Sequence, residues 1–184
     1  MWWASLIDQF LREYLKFRHD QYGGTVGNRI RFLSEVVSEV VSAVGTEQRG
    51  VRISPNGEIL GVNDTDPVTL FTAAARRLDE IGIAYLEVRE SPDGPGMLGS
   101  DKPPVYPEIR QAFSGTFIMN NDFSYARATR ALADGEADAV SFGRDFISNP
   151  DLPHVFRQGK MPVESNVSTW YSAGEKGYTE YHAI

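Results

Sequence analysis

Three short stretches of this chain place charged or polar residues within or at the end of an apolar run. Arg52 lies in the run Val51-Arg52-Ile53-Ser54, which Pro55 ends. A guanidinium among apolar strand residues is costly without a partner, so it either holds negative charge or snorkels to the rim of a sheet. Gly143 and Arg144 follow a second apolar run, Ala139 to Phe142. Backbone N–H groups at the start of a following helix favour an anion, and arginine adds bidentate pairing to phosphate. An ordinary surface turn is the other reading of that dipeptide. Asn120, Asn121 and Asp122 close the run Thr116 to Asn120. Asparagine tolerates left-handed backbone, so Asn121 suits a tight turn. Asp122 reads equally as a helix cap and as part of a binding loop.

These stretches need a scaffold, and the hydrophobic pattern supplies one. Residues 29–44 place Ile30, Leu33, Val37, Val40, Val41 and Val44 at helical spacing, with Gly45 as the stop. Val51 to Ser54 reads as a buried strand. Asp66-Pro67 opens a helix with a cap and a proline at its first position. That helix carries Leu70, Phe71, Ala74, Ala75, Leu78 and Ile81 and stops at Gly82, and Ile83 to Val88 is the next strand. Ser91 to Pro107 is rich in glycine and proline, and a loop of that length is usually functional or mobile. A short helix near Glu108–Ala112, the strand Thr116–Asn120, a helix near Ser124–Asp134 and the strand Ala139–Phe142 follow. Asn149-Pro150 repeats the cap-and-proline device before a last helix to about Gln158. Strand alternating with helix predicts an α/β fold with a parallel sheet. Four βα units make half of a (β/α)8 TIM barrel. The expected organisation is one half-barrel domain over 1–184, with a helix over 1–19, the βα units over 20–160 and an aromatic tail over 161–184.

Three ordered motifs resemble one family. Asp20-Gln21-Tyr22-Gly23-Gly24 leads to Asn28-Arg29-Ile30-Arg31-Phe32. Val51-Arg52-Ile53-Ser54-Pro55 follows, and then Ser141-Phe142-Gly143-Arg144-Asp145-Phe146-Ile147-Ser148-Asn149-Pro150-Asp151-Leu152. Together they resemble the old yellow enzyme family of FMN-dependent ene-reductases, and the likeness covers about residues 20–184. The resemblance implies that Arg52 contacts the flavin ring and stabilises negative charge at its N1/O2 edge. It assigns Gly143 and Arg144 to the FMN phosphate, with backbone N–H groups of Asn120, Asn121 and Asp122 beside it. NAD(P)H is the implied reductant. Trp170, Tyr171 and Gly177-Tyr178-Thr179-Glu180-Tyr181 resemble the family's carboxyl-terminal aromatic segment, whose expected role is packing. Gly27 stands where the family usually has glutamate, which weakens the helix start.

Leu6-Ile7-Asp8-Gln9-Phe10-Leu11 resembles the family segment that follows its catalytic His, Asn/His and Tyr. Counting back, Ser5 takes the Tyr position, Trp3 the Asn position, and the His falls before Met1. The expectation is therefore a half-barrel with no catalytic side chain of its own. Glu13 to Arg18 replaces a glycine-containing loop with good helix formers, and Trp3, Ile7, Phe10, Leu11, Tyr14 and Phe17 then make an amphipathic stripe. That replacement reads as an engineered, truncated enzyme half. A half-barrel exposes strand edges and an apolar inner face, both prone to association, so a homodimer closing an eight-stranded barrel is expected. A non-catalytic, self-associating scaffold without flavin is the alternative.

Composition narrows the field further. The chain has 184 residues, enough for a substantial core, and a net charge of −7, which argues against a nucleic-acid footprint. It has no cysteine, and its three histidines are too scattered to suggest a metal. No apolar run reaches membrane-helix length and the amino terminus lacks signal-peptide features, so the expected location is cytoplasmic.

Overall fold

The computed structural model describes residues 6–13, 18–56, 64–91, 102–170, 174–177 and 179–181. The chain divides into two compact units, 1–140 and 141–184. In the first, α1 (Leu6–Leu11), α2 (Val26–Arg29) and α3 (Arg31–Val44) precede β1 (Gly50–Ile53). Then α4 (Pro67–Ile81), β2 (Tyr85–Arg89), α5 (Tyr106–Ala112), β3 (Thr116–Asn120) and α6 (Tyr125–Ala133) alternate. β4 (Ala139–Ser141) completes the sheet order β1-β2-β3-β4.

β1 and β2 pair in parallel with Arg52 opposite Glu87, and β2 and β3 pair in parallel with Arg89 opposite Asn120. Because strand side chains alternate between faces, Leu86, Val88, Phe117 and Met119 share one face and are fully buried. Helix α4 supplies a matching apolar stripe, Leu70, Phe71, Ala74, Ala75 and Leu78, with no exposure at any of the five. Its start is fixed as expected: Asp66 accepts from the Thr69 N–H at 3.0 Å, with Pro67 following. Its end is the left-handed Gly82, at φ +80.

The opposite sheet face carries Arg52, Glu87, Arg89 and Asn120 alongside Tyr85 and Ile118. The expected apolar inner face is thus corrected: in this unit it is charged and polar toward the strands' carboxyl ends. Near their amino ends Gly50 leaves room for the Tyr85 ring, since a Cβ there would lie 2.1 Å from it.

Two further expectations change. The helix over 29–44 is two pieces, broken at Ile30, and only Leu33 and Val37 of the predicted stripe in α3 are buried; Val40 and Val44 are exposed. The amino-terminal half of α3 is the part that meets other elements: Phe32 stacks on Phe10 of α1 at 4.3 Å. The helix α1 ends at Leu11, and the next side chain, Arg12, is buried against the loop after β1; residues 1–5 and 14–17, including Trp3, Ser5, Tyr14 and Phe17, lie outside the described residues. The start of α2 is capped by Thr25, whose Oγ1 accepts from the Asn28 N–H, so Gly27 is tolerated there.

In the second unit, α7 (Arg144–Ser148) and α8 (Leu152–Arg157) precede a short 3-10 turn, Val167–Thr169. The expected Asn149 cap is corrected. Asn149 is 1% exposed, and its amide pairs with Val163 in both directions, 2.9 Å each, instead of capping α8. Phe142 and Phe156 pack edge to face at 5.2 Å. Trp170 donates its indole N–H to Ser165 at 2.9 Å, and the Gly177 N–H is taken by the Glu180 carboxylate; Tyr171 and Tyr178 lie outside the described residues.

Candidate functional site

The carboxyl ends of β1, β2 and β3 bring Arg52, Glu87, Arg89, Asn120 and Asn121 to one face. Arg52 leans across β2, and its Nη2 donates to Asn120 Oδ1 at 2.6 Å. Its Nε lies 3.9 Å from Glu87 Oε2, a loose ion pair whose arginine is half exposed and whose carboxylate is only 19% exposed. Arg89 donates to Asn121 Oδ1 at 3.4 Å. Consecutive asparagines at the end of β3 therefore each receive one arginine. Arg52 is therefore not an unpartnered charge.

Beyond β3 the backbone turns through two positive φ values, +98 at Asn121 and +54 at Asp122. The left-handed geometry expected of Asn121 is present, and Asp122 shares it. Asp122 is not the cap of α6: Ser124 is, its Oγ accepting from the Arg127 N–H at 3.2 Å. A serine two residues later satisfies the helix start, and the left-handed Asp122 lies outside it.

Within the second unit, Gly143 and Arg144 are both exposed, at the start of α7. Gly143 has open space where a Cβ would be.

Residues 4–161 match the model of the NADH:flavin oxidoreductase / NADH oxidase family. The chain belongs to this family. A putative 12-oxophytodienoate reductase 10 of Oryza sativa subsp. japonica is 35% identical over 182 residues, covering 96% of this chain and 57% of the rice protein. A probable flavin mononucleotide-dependent alkene reductase of Leishmania infantum is 36% identical, covering 96% of this chain and 47% of that protein. The structure of the old yellow enzyme homologue from Zymomonas mobilis superposes with a TM-score of 0.94 at 43% identity, covering 99% of this chain and 51% of that one. The chain thus spans about half the length of the curated relatives it matches, and its four βα units are half of an old yellow enzyme barrel.

This old yellow enzyme half-barrel positions its strand ends with buried charges that the sequence reading did not single out. Arg12 is 2% exposed; it donates to Pro55 O at 2.8 Å and Ser54 O at 2.5 Å, pairs with Asp8 at 3.2 Å, and lies 4.7 Å over the Phe71 ring. It thereby fixes the loop that follows Arg52. Burial pushes the Asp8 carboxyl up, and the Arg12 charge opposes it. Arg29 and Asp64 form a buried pair at 2.5 Å; Arg29 also donates to Leu11 O, and Asp64 accepts from the Glu13 N–H. Glu90, just past β2, is 4% exposed. It accepts from the Val105 and Tyr106 N–H groups at 2.8 and 2.7 Å and from Asn56 Nδ2 at 2.5 Å. Burial pushes its carboxyl up to about 7, against the opposing pull of those donors.

The one available signal for such residues was a charge standing beside an apolar run, as at Arg12 and Glu90. Among the described residues no group of three or more His, Cys, Asp or Glu could hold a metal ion, and no helix is long and apolar enough to cross a membrane.

Proposed function

We propose that this chain is the FMN-phosphate-binding half of an NAD(P)H:alkene oxidoreductase, with weakened flavin affinity and weak or absent turnover. The observation that carries the reading is Arg52: half exposed at the carboxyl end of β1, with the hydrogen bond to Asn120 engaging one of its five guanidinium N–H donors. That donor set suits the electron-rich edge of a flavin, and active sites of β/α barrels lie at this end of the strands. Asn120, Asn121 and Asp122 form a left-handed turn able to present backbone N–H groups to an anion. Gly143 and Arg144, in the second unit, carry the phosphate reading on the family resemblance.

When bound, FMN would supply hydride transfer between NAD(P)H and an activated alkene. The chain's own part is to bind and orient. Arg52 opposes negative charge that gathers at the ring edge, and Asn120 holds the guanidinium in place. No side chain of this half is assigned to deliver the proton. Ser5 and Trp3 stand where the resemblance puts the proton-donor Tyr and the substrate-binding Asn/His, so water would have to protonate the product.

Those same substitutions favour a second reading, a non-catalytic half-barrel that associates with itself and holds no flavin. FMN titration separates the two. Quenching of flavin fluorescence should saturate with the unaltered chain and vanish in Arg144→Ala. No quenching by the unaltered chain would establish the scaffold reading, and equal quenching by both would show that the phosphate lies elsewhere.

A further inference from the structure

We propose that Glu87 is a charge-tuning residue of the flavin site, acting through Arg52; the inference rests on the flavin-binding reading above. Glu87 and Arg52 are register partners on adjacent parallel strands and project from the same sheet face. The carboxylate is the more buried partner, 19% exposed against 50% for the arginine, so it flanks the guanidinium from the strand side and leaves the outer side to a ligand. Arg52 is thus bounded by a neutral acceptor, Asn120, at 2.6 Å and by a negative one, Glu87, at 3.9 Å. Arg89, two residues along the same strand face, is the other cation nearby, and it turns toward Asn121.

In water a pair this open contributes little. A bound flavin that excludes water from Arg52 would change that, because a lower local dielectric strengthens each charge interaction. Part of the guanidinium's positive charge is then spent on Glu87 and is withheld from the ligand. The consequence is selective. An uncharged oxidised ring is held about equally with or without Glu87, whereas the negative charge that accompanies reduction is stabilised less beside the Glu87 carboxylate. Glu87 therefore lowers the midpoint potential of the flavin that this half-barrel holds.

The test is an anaerobic photoreduction of FMN-loaded protein against a reference dye, comparing the unaltered chain with Glu87→Gln and Glu87→Asp, each checked for fold by circular dichroism. Glu87→Gln should raise the two-electron midpoint by about 30 mV, which corresponds to about tenfold tighter relative binding of reduced flavin. Glu87→Asp keeps the charge and should stay near the unaltered value. An unshifted Glu87→Gln, or equal shifts in the two variants, would overturn the role of Glu87 while leaving the flavin reading intact. Failure of the unaltered chain to retain FMN would overturn the flavin reading itself, and this inference with it.

Discussion

Arg29 and Asp64 are almost wholly buried, at 6% and 1% exposure, and meet at 2.5 Å. Removing one partner of such a pair strands the other charge out of water, typically costing about 3–5 kcal/mol. Arg29→Met should therefore lower the urea midpoint sharply, and Asp64→Asn should do the same by leaving the guanidinium unpaired. Glu90 makes a different prediction. Its folded carboxyl releases its proton near 7 and an exposed one near 4.5, so between those values the native state binds the extra proton. Stability from this group is fullest below pH 4.5 and falls as pH rises through 7, by about 3 kcal/mol in all. Denaturant midpoints at pH 5 and pH 8 measure this, and Glu90→Gln should flatten the difference.

At the scale of elements, α4 shows what a sequence makes legible. A cap, a proline, a complete apolar stripe and a glycine stop are all local signals, and each is where it was expected. From Leu70 to Leu78 its stripe packs without exposure, while Ile81 at its end is only half-buried, so Leu78→Ala should cost about 2–5 kcal/mol, read as a loss of thermal midpoint. The places of the strands were also readable, since four short apolar runs between helices leave few alternatives, but β1, read as a buried strand, buries only Ile53. Signals that depend on partners far along the chain were not. The periodicity of α3 runs to Val44, yet nothing local says that burial stops after Val37. Asn149-Pro150 has the composition of a cap, but the asparagine finds Val163, fourteen residues on. Arg12 reaches Pro55 across 43 residues and Asn56 reaches Glu90 across 34. The candidate site divides along the same line. Family-like motifs brought Arg52 and the Asn120–Asp122 turn into view, while Glu87 and Arg89 carry no motif and become visible only through strand register.

For the molecule as a whole, the open question is association. Among the described residues β1 ends the sheet order on one side, and a strand edge without a neighbour is a template for pairing. The inner face beside it is polar at its carboxyl end but presents Tyr85, 38% exposed, at the other. We infer that two copies associate through this edge, and sedimentation equilibrium should return twice the 20.5 kDa of one chain; a monomer at all concentrations would exclude it.

The ties around Glu90 also bear on how this chain can change over time. Asn56 and Asp64 bracket residues 57–63, and Ser91 and Lys102 bracket residues 92–101. Asn56 is bonded to Glu90 and to Pro103 O, and Lys102 to Asp64 O at 3.2 Å. The roots of both connections are therefore stitched to one another. The loop-closure part of the cost of residues added between such roots grows only slowly with length. Chain closure alone therefore sets only a weak limit on the length of either connection, because the ties at the roots hold the strand ends that present Arg52 and Glu87.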